Sequence, residues 1–284
     1  MNENSPLPTL VSNDWLAHAT DALSAAGIAS ARLDAEMILA HTLRKNRTYL
    51  HAHGDHIITD REAQIADARL ALRLDRVPVA YIIGHKEFYG RNFHVTQATL
   101  IPRPDSEVLI ELTRRIMPEI TKQTNGIVRL VDVGTGSGAL GITAKLEFPD
   151  TDVTLIDISK HALTIAKKNA HLLKAEVGVL LGDLLSTYPF EPQIIVANLP
   201  YVDKAWERSP ETQHEPAKAL FASNNGLSLI YRLIIQAQSQ LASGGALILE
   251  ADPRQHEAII ARAEQYGFLL EARDGFGLLF RALR

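Results

Sequence analysis

The sequence predicts an α/β fold, a doubly wound and mainly parallel sheet behind a small helical N-terminal bundle. Three observations carry that expectation. Up to about residue 76, apolar residues recur at three- and four-residue spacing. From Val128 onward, β-branched runs alternate with helical periods, the pattern of a parallel sheet with crossover helices. A glycine-rich turn, Asp132-Val133-Gly134-Thr135-Gly136-Ser137-Gly138, follows the first of those runs and opens a helix.

Bulk properties bound the function classes. A chain of 284 residues accommodates two domains, and 46% apolar with 22% charged residues is an ordinary globular composition. The net charge of -4 leaves no basic footprint, so no direct nucleic-acid binding is expected. Cysteine is absent, which excludes disulfides, thiolate metal sites and thiol nucleophiles. Met1-Asn2-Glu3-Asn4-Ser5-Pro6 lacks a basic region before an apolar core, and apolar runs stop well short of the roughly 20 residues a bilayer span needs. The expectation is a cytoplasmic monomer with no membrane segment.

In chain order, Trp15, Leu16, Ala19, Ala22 and Leu23 mark a first helix from about Thr9, closed by Gly27. Ala31–Leu43 repeats the period, and Thr59-Asp60-Arg61-Glu62 supplies an N-cap with an acidic first turn for a third helix through Leu74. These make a helical domain over 1–77. Pro78 ends it. Val79–Gly84 and Glu87–Val95 suit two strands of a hairpin linker, 78–102. Ile101-Pro102-Arg103-Pro104 is stiff and extended, because each proline fixes its own φ and biases the residue before it. A helix from Asp105 or Ser106 to Met117 opens the third segment, 103–284.

There, strands at 128–133, 153–158, 177–181, 194–197 and 246–250 alternate with helices at 137–148, 160–173, 227–241 and 255–266. The ending, 268–273 and 277–283 around Asp274-Gly275, is a hairpin that makes the last strand antiparallel. That gives the seven-stranded, Rossmann-like sheet typical of methyltransferases.

The glycine turn lets backbone approach a ligand without intervening Cβ atoms, and Asp157 ends the next strand where a carboxylate can accept ribose hydroxyls. The spacing Gly134-x-Gly136-x-Gly138, with no further glycine at the dinucleotide position, points to S-adenosyl-L-methionine rather than a nicotinamide. Thr135 and Ser137 complete the cradle. Asp132 either reaches the methionine portion or caps the turn. Asp183, at the end of the third strand, either meets the adenine amino group, with Leu184 beside the ring, or serves as a turn residue.

Asn198-Leu199-Pro200-Tyr201 follows the fourth strand, at the end where open α/β sheets place ligands. The Asn198 side-chain oxygen and the Leu199 carbonyl are neighbouring acceptors that can take both hydrogens of one NH2 group. A planar NH2 is a poor nucleophile because its lone pair is delocalised. Two fixed acceptors favour pyramidalisation and aim that lone pair. Pro200 stiffens the loop, and Tyr201 can stack on a flat acceptor. His51-x-His53-x-x-His56 lacks a matching carboxylate cluster and is expected in a polar inter-helix loop. Glu215-Pro216 either buttresses the Asn198 loop or belongs to an ordinary surface loop.

These stretches resemble the release-factor glutamine methyltransferases of the HemK/PrmC type, over nearly the whole chain. The residues that carry the resemblance are Pro78–Gly90, Ile101-Pro102-Arg103-Pro104-Asp105-Ser106-Glu107, Asp132–Gly138, Asp157-Ile158-Ser159, Lys168-Asn169-Ala170 and Glu215-Pro216. The Ile-Pro-Arg-Pro segment joined to a helical domain is the most discriminating. The resemblance implies methylation of the glutamine side-chain amide in the Gly-Gly-Gln motif of peptide chain release factors, with the helical domain docking that protein. It also implies that Asn198 and Leu199 hold the amide, and that Gly134, Gly136, Gly138, Asp157 and Asp183 hold the cofactor. Leu199 departs from the family's usual proline, and the C-terminal hairpin is shorter than usual. Asn-Leu-Pro-Tyr is also familiar from adenine-specific rRNA methyltransferases, so the alternative is an adenine-N6 methyltransferase on rRNA or DNA, gripping a flipped base.

Overall fold

The computed structural model describes residues 10–124 and 126–283. Met1–Pro6 and Thr9, where the absence of a leader and the start of the first helix were expected, lie outside them. The chain forms two compact units, one running up to Gly84 and including Pro210–His214, the other comprising the remainder.

The first unit is helical: α1 (Ser12–Ala25), α2 (Ala31–Leu43), α3 (Arg47–Ala52), α4 (Asp60–Leu74) and α5 (Val79–Ile83). Gly27, at φ +72°, closes α1, and Thr59 with Glu62 forms a reciprocal capping box on α4. Trp15, Leu16, Ala19, Leu23, Ala35, Ile38, Leu39, Ala66 and Leu70 fill its core. The Arg73 guanidinium is buried between Asp34 (2.8 Å) and Glu211 (3.0 Å), which anchors the Pro210–His214 segment within this unit.

Two expectations change here. Val79–Ile83 is a helix, not a strand: Tyr81 and Ile82 donate to Pro78 O, and Ala80 and Ile83 bury one helical face despite their neighbours' β-branching. The short α3, capped by Asn46, takes in His51, whose surroundings were expected to be loop. His53 stacks on Tyr49, and His56 meets the Tyr49 hydroxyl at 3.1 Å.

The second unit opens with the hairpin β1 (His85–Phe88) and β2 (Arg91–His94). It turns at Tyr89-Gly90, both at positive φ, so the stretch expected as one strand is itself the hairpin. Next is α6 (Val108–Thr124), which continues past the expected stop at Met117 through Pro118. Burial of Ile116, Met117 and Ile120 on one face outweighs the hydrogen bond that proline removes.

Then follow β3 (Arg129–Val133), α7 (Ala139–Glu147), β4 (Asp152–Asp157), α8 (Lys160–Leu173), β5 (Gly178–Leu181), β6 (Ile194–Ala197), α9 (Ala217–Leu220), α10 (Ser228–Gln240), β7 (Ala246–Glu250), α11 (His256–Gln265), β8 (Phe268–Asp274) and β9 (Gly277–Ala282). The sheet order is β5-β4-β3-β6-β7-β9-β8; β9 alone runs opposite to the other six strands, as the terminal hairpin requires.

Alternate strand residues feed two cores. Leu130, Leu155, Val196 and Ile248 pack with α6, α7 and α8 on one face. Val131, Val133, Ile156, Ile195 and Leu247 pack with α10 and α11 on the other. Burial on both faces explains why these strands read as continuous apolar runs.

Candidate active site

Neighbouring strands β3 and β6 send their following helices to opposite faces, α7 to one and α10 to the other. Their carboxyl ends therefore flank a switch-point crevice, where parallel sheets bind ligands. The glycine turn leaves β3 and the Asn198 loop leaves β6, so both predicted motifs border that crevice.

The glycine turn is fixed from below. The Gly134 and Thr135 N–H groups both donate to Ile156 O, at 2.8 and 3.0 Å. Asp132 is buried, and its Oδ2 accepts from Thr135 Oγ1 (2.6 Å) and from the Gly141 N–H (2.8 Å). Oδ1 is buried without a hydrogen-bond partner among the described residues. Burial pushes this carboxyl up to about 6, more than the two hydrogen bonds draw it down. One oxygen of Asp132 thus caps the turn.

Asp157 takes the Gly136 N–H on Oδ2 (2.9 Å) and the Ser159 N–H on Oδ1 (2.8 Å), and burial raises its pKa. Gly136 has φ +57°, and a Cβ built there would come no nearer than 4.0 Å to any neighbour, so it borders open space. Asn169, wholly buried, donates to Ser137 O (2.8 Å) and His94 O (2.9 Å) and ties the turn to β2.

The Asn198 loop is held with comparable care. Asn198 Nδ2 donates to Ser106 Oγ at 2.9 Å, which leaves Oδ1 as the acceptor of that amide. Leu199 is buried, and its Cδ2 lies 2.7 Å from where a Cβ on Gly134 would stand. The Tyr201 hydroxyl donates to Glu250 Oε1 at 3.1 Å, and burial followed by the Glu250 charge raises its pKa. Gln255 Nε2 donates to Tyr201 O (2.8 Å) and Asn225 O (2.7 Å). Gly226 lies so close to Tyr201 O that a Cβ would approach to 1.8 Å.

Glu215 is not on an ordinary surface loop. Its buried carboxylate accepts the Ile101 N–H at 3.1 Å and an Arg103 N–H, pinning the Ile-Pro-Arg-Pro segment that leads into Ser106. Asp183 pairs with Arg232 of α10 at 2.6 Å on a half-exposed surface, while Leu184 is buried at φ +54°.

Sequence reasoning missed several supports. Ser106, Glu250 and Gln255 lie 92, 49 and 54 positions from the loop residues they hold, and meet them only through tertiary pairing, which no spacing announces. Gly141 was legible. Gly136-x-Gly138-x-x-Gly141 is itself a G-x-G-x-x-G, and a Cβ at Gly141 would stand 2.2 Å from Leu155 Cδ2, so α7 packs closely on the sheet because that glycine is there. The glycine spacing alone therefore does not separate the two cofactor classes.

The sheet order and the two loops define an α/β methyltransferase. The Methyltransferase small domain matches residues 111–223, and the PrmC N-terminal domain matches residues 14–84. The chain belongs to the release factor glutamine methyltransferase family. It is 36% identical to the Deinococcus radiodurans release factor glutamine methyltransferase over 263 residues, 92% of each chain. With the Escherichia coli (strain K12) protein of the same name it shares 36% over 252 residues, 86% of this chain and 87% of that one. Among solved structures, a T. thermophilus 16S rRNA N2 methyltransferase in complex with AdoMet and guanosine aligns with a TM-score of 0.50 at 19% identity, over 70% of this chain and 50% of that one. That likeness concerns the fold.

Proposed function

We propose that this protein transfers the methyl group of S-adenosyl-L-methionine to the side-chain amide nitrogen of the glutamine in the Gly-Gly-Gln motif of peptide chain release factors. Family membership over 92% of the chain supports the reaction and favours a carboxamide over an adenine as acceptor. The observation that carries the chemistry is the Asn198 amide, its NH2 turned to Ser106 and its oxygen left to accept.

The residues present fit the cofactor. Gly136 offers a cradle that a Cβ would fill, and Asp157 retains lone pairs beyond the two backbone N–H groups it accepts. Gly134, Gly136, Gly138 and Asp157 would hold it, with Thr135 and Ser137 shaping the turn. Asp132 fixes that turn, and Asp183 with Leu184 borders the adenine side. When bound, S-adenosyl-L-methionine supplies a sulfonium methyl open to in-line displacement.

The chain's own work is positioning. Asn198 Oδ1 and the Leu199 carbonyl accept the two amide hydrogens, pyramidalise the nitrogen and aim its lone pair. Tyr201 and Pro200 hold the loop and the flat amide. No side chain is needed as general base, since the methylated nitrogen loses its proton to solvent afterwards. The helical unit docks the release factor.

The test is mass spectrometry of a purified release factor after incubation with enzyme and S-adenosyl-L-methionine. The reading requires a gain of one methyl on the Gly-Gly-Gln glutamine; methyl transfer to ribosomal RNA with unmodified release factor would overturn it.

A further inference from the structure

Glu250 ends β7 beside the Asn198 loop, and it is a charged residue at a place where the chemistry above gives it no direct part. Its side chain is only 2% exposed. Burying a carboxylate is costly unless it is paired and hydrogen-bonded, and here that compensation is incomplete. Oε1 accepts from the Tyr201 hydroxyl at 3.1 Å, whereas Oε2 is buried without a hydrogen-bond partner among the described residues. No arginine or lysine pairs with it in any described ion pair. Burial, and secondarily the Asp105 charge, raises its pKa, while the Ser106 and Tyr201 hydroxyls and the Asn198 amide face the carboxylate and oppose that rise. Ser106 in turn stands 2.9 Å from Asn198 Nδ2.

We infer that Glu250 is a positioning residue that fixes which way round the Asn198 carboxamide sits. The two ends of an asparagine amide are nearly the same shape but opposite in hydrogen-bonding sense. A carboxylate accepts only, so beside Glu250 and its Ser106 partner the NH2 end is drawn inward and Oδ1 is turned towards the acceptor substrate. A flipped amide would present N–H donors to a substrate NH2, and the clamp would repel the group it must hold. Through the Tyr201 hydroxyl the same carboxylate fixes the far end of the Asn198–Tyr201 loop. Glu250 touches neither substrate nor cofactor in this role.

The inference rests on the Asn198 clamp, and a double-mutant comparison separates failure of one from failure of the other. Glu250→Gln keeps the shape but adds an NH2 that can donate to Asn198 Oδ1 and stabilise the flipped amide. Turnover is followed by labelled-methyl transfer from S-adenosyl-L-methionine to purified release factor. The expected result is a fall in kcat on the order of 100-fold, the scale of losing one preorganised polar contact, with KM for release factor and cofactor affinity within about 3-fold. In an Asn198→Ala background the same substitution should cost less than about 3-fold more, because nothing remains to orient. A full further loss in that background, or a normal kcat for Glu250→Gln in the presence of an intact Asn198 effect, overturns the inference while leaving the clamp standing. An Asn198→Ala variant with normal turnover overturns the clamp itself. Should Glu250→Gln fail to fold, Ser106→Ala decides, since it removes the other inward partner and must show the same dependence on Asn198.

Discussion

Leu199 occupies the space that the missing side chain of Gly134 leaves open, its Cδ2 standing 2.7 Å from the position a Cβ would take. The loop after β6 and the loop after β3 therefore interlock through one leucine and one glycine. Burial of Leu199 fixes the loop at this point.

That contact predicts the effect of Gly134→Ala. The residue sits at φ +74°, where an L side chain costs about 1–2 kcal/mol, and the new methyl must also displace Leu199. Gly136→Ala carries only the backbone cost, since its Cβ would meet open space. Urea unfolding should show Gly134→Ala as the less stable of the two. Equal midpoints would mean that Leu199 yields without resistance.

How much of this was legible follows from the same pair. Both loops were found in sequence because each is a local pattern, a strand followed by a characteristic turn. Their interlock was not, because Gly134 and Leu199 lie far apart in the chain and meet only through the pairing of β3 with β6. The same holds for Ser106 beside Asn198. Local misreadings had a different origin. Val79–Ile83 carries β-branched residues yet buries a helical face, and α6 runs through a proline because the apolar stripe continues beyond it. In both cases tertiary burial overrode intrinsic preference.

Asn198→Ala removes one of the two acceptors and leaves the glycine turn intact. Turnover should fall on the order of 100-fold or more, comparable to removing one preorganised polar group from an active site. Cofactor affinity, measured by calorimetry, should stay within about 3-fold. Single-turnover rates equal to those of the unaltered protein would remove Asn198 from the chemistry.

Asp157→Ala should divide the effects the other way. The carboxylate accepts the Gly136 and Ser159 N–H groups, so its loss loosens the cradle and removes any hydroxyl acceptor. Hydrogen bonds to charged groups contribute roughly 1.5–3 kcal/mol, which corresponds to about 10- to 100-fold weaker cofactor binding. Calorimetry that finds an unchanged dissociation constant takes Asp157 out of the cofactor site.

Glu215→Ala leaves the Ile101 N–H buried and unpartnered and frees Arg103. An orphaned buried donor costs about 1–3 kcal/mol. Arg103→Ala should cost less, because that guanidinium is 40% exposed and its pairing is partly screened by water. Thermal unfolding of the two variants decides the order; an Arg103→Ala variant as unstable as Glu215→Ala would place the anchor in the ion pair rather than in the backbone bond.

The buried carboxyl of Asp132 gives stability a pH dependence whose sign is fixed. Its folded pKa of about 6 lies above the ordinary 3.8, raised first by burial. Between those values the folded chain holds a proton that the unfolded chain has released, so stability falls as pH rises through that window and levels off above it. A shift of about 2 units corresponds to roughly 3 kcal/mol. Asp132→Asn should remove this slope, because its Oδ1 can still accept from Thr135 and Gly141 while the side chain no longer ionises. Asp157 and Glu250 are shifted in the same direction but remain in both proteins, so the comparison isolates Asp132. Denaturant unfolding at pH 4 and pH 7 should show a smaller drop in stability for the variant; identical drops would mean that Asp132 is already ionised in the folded protein at the lower pH.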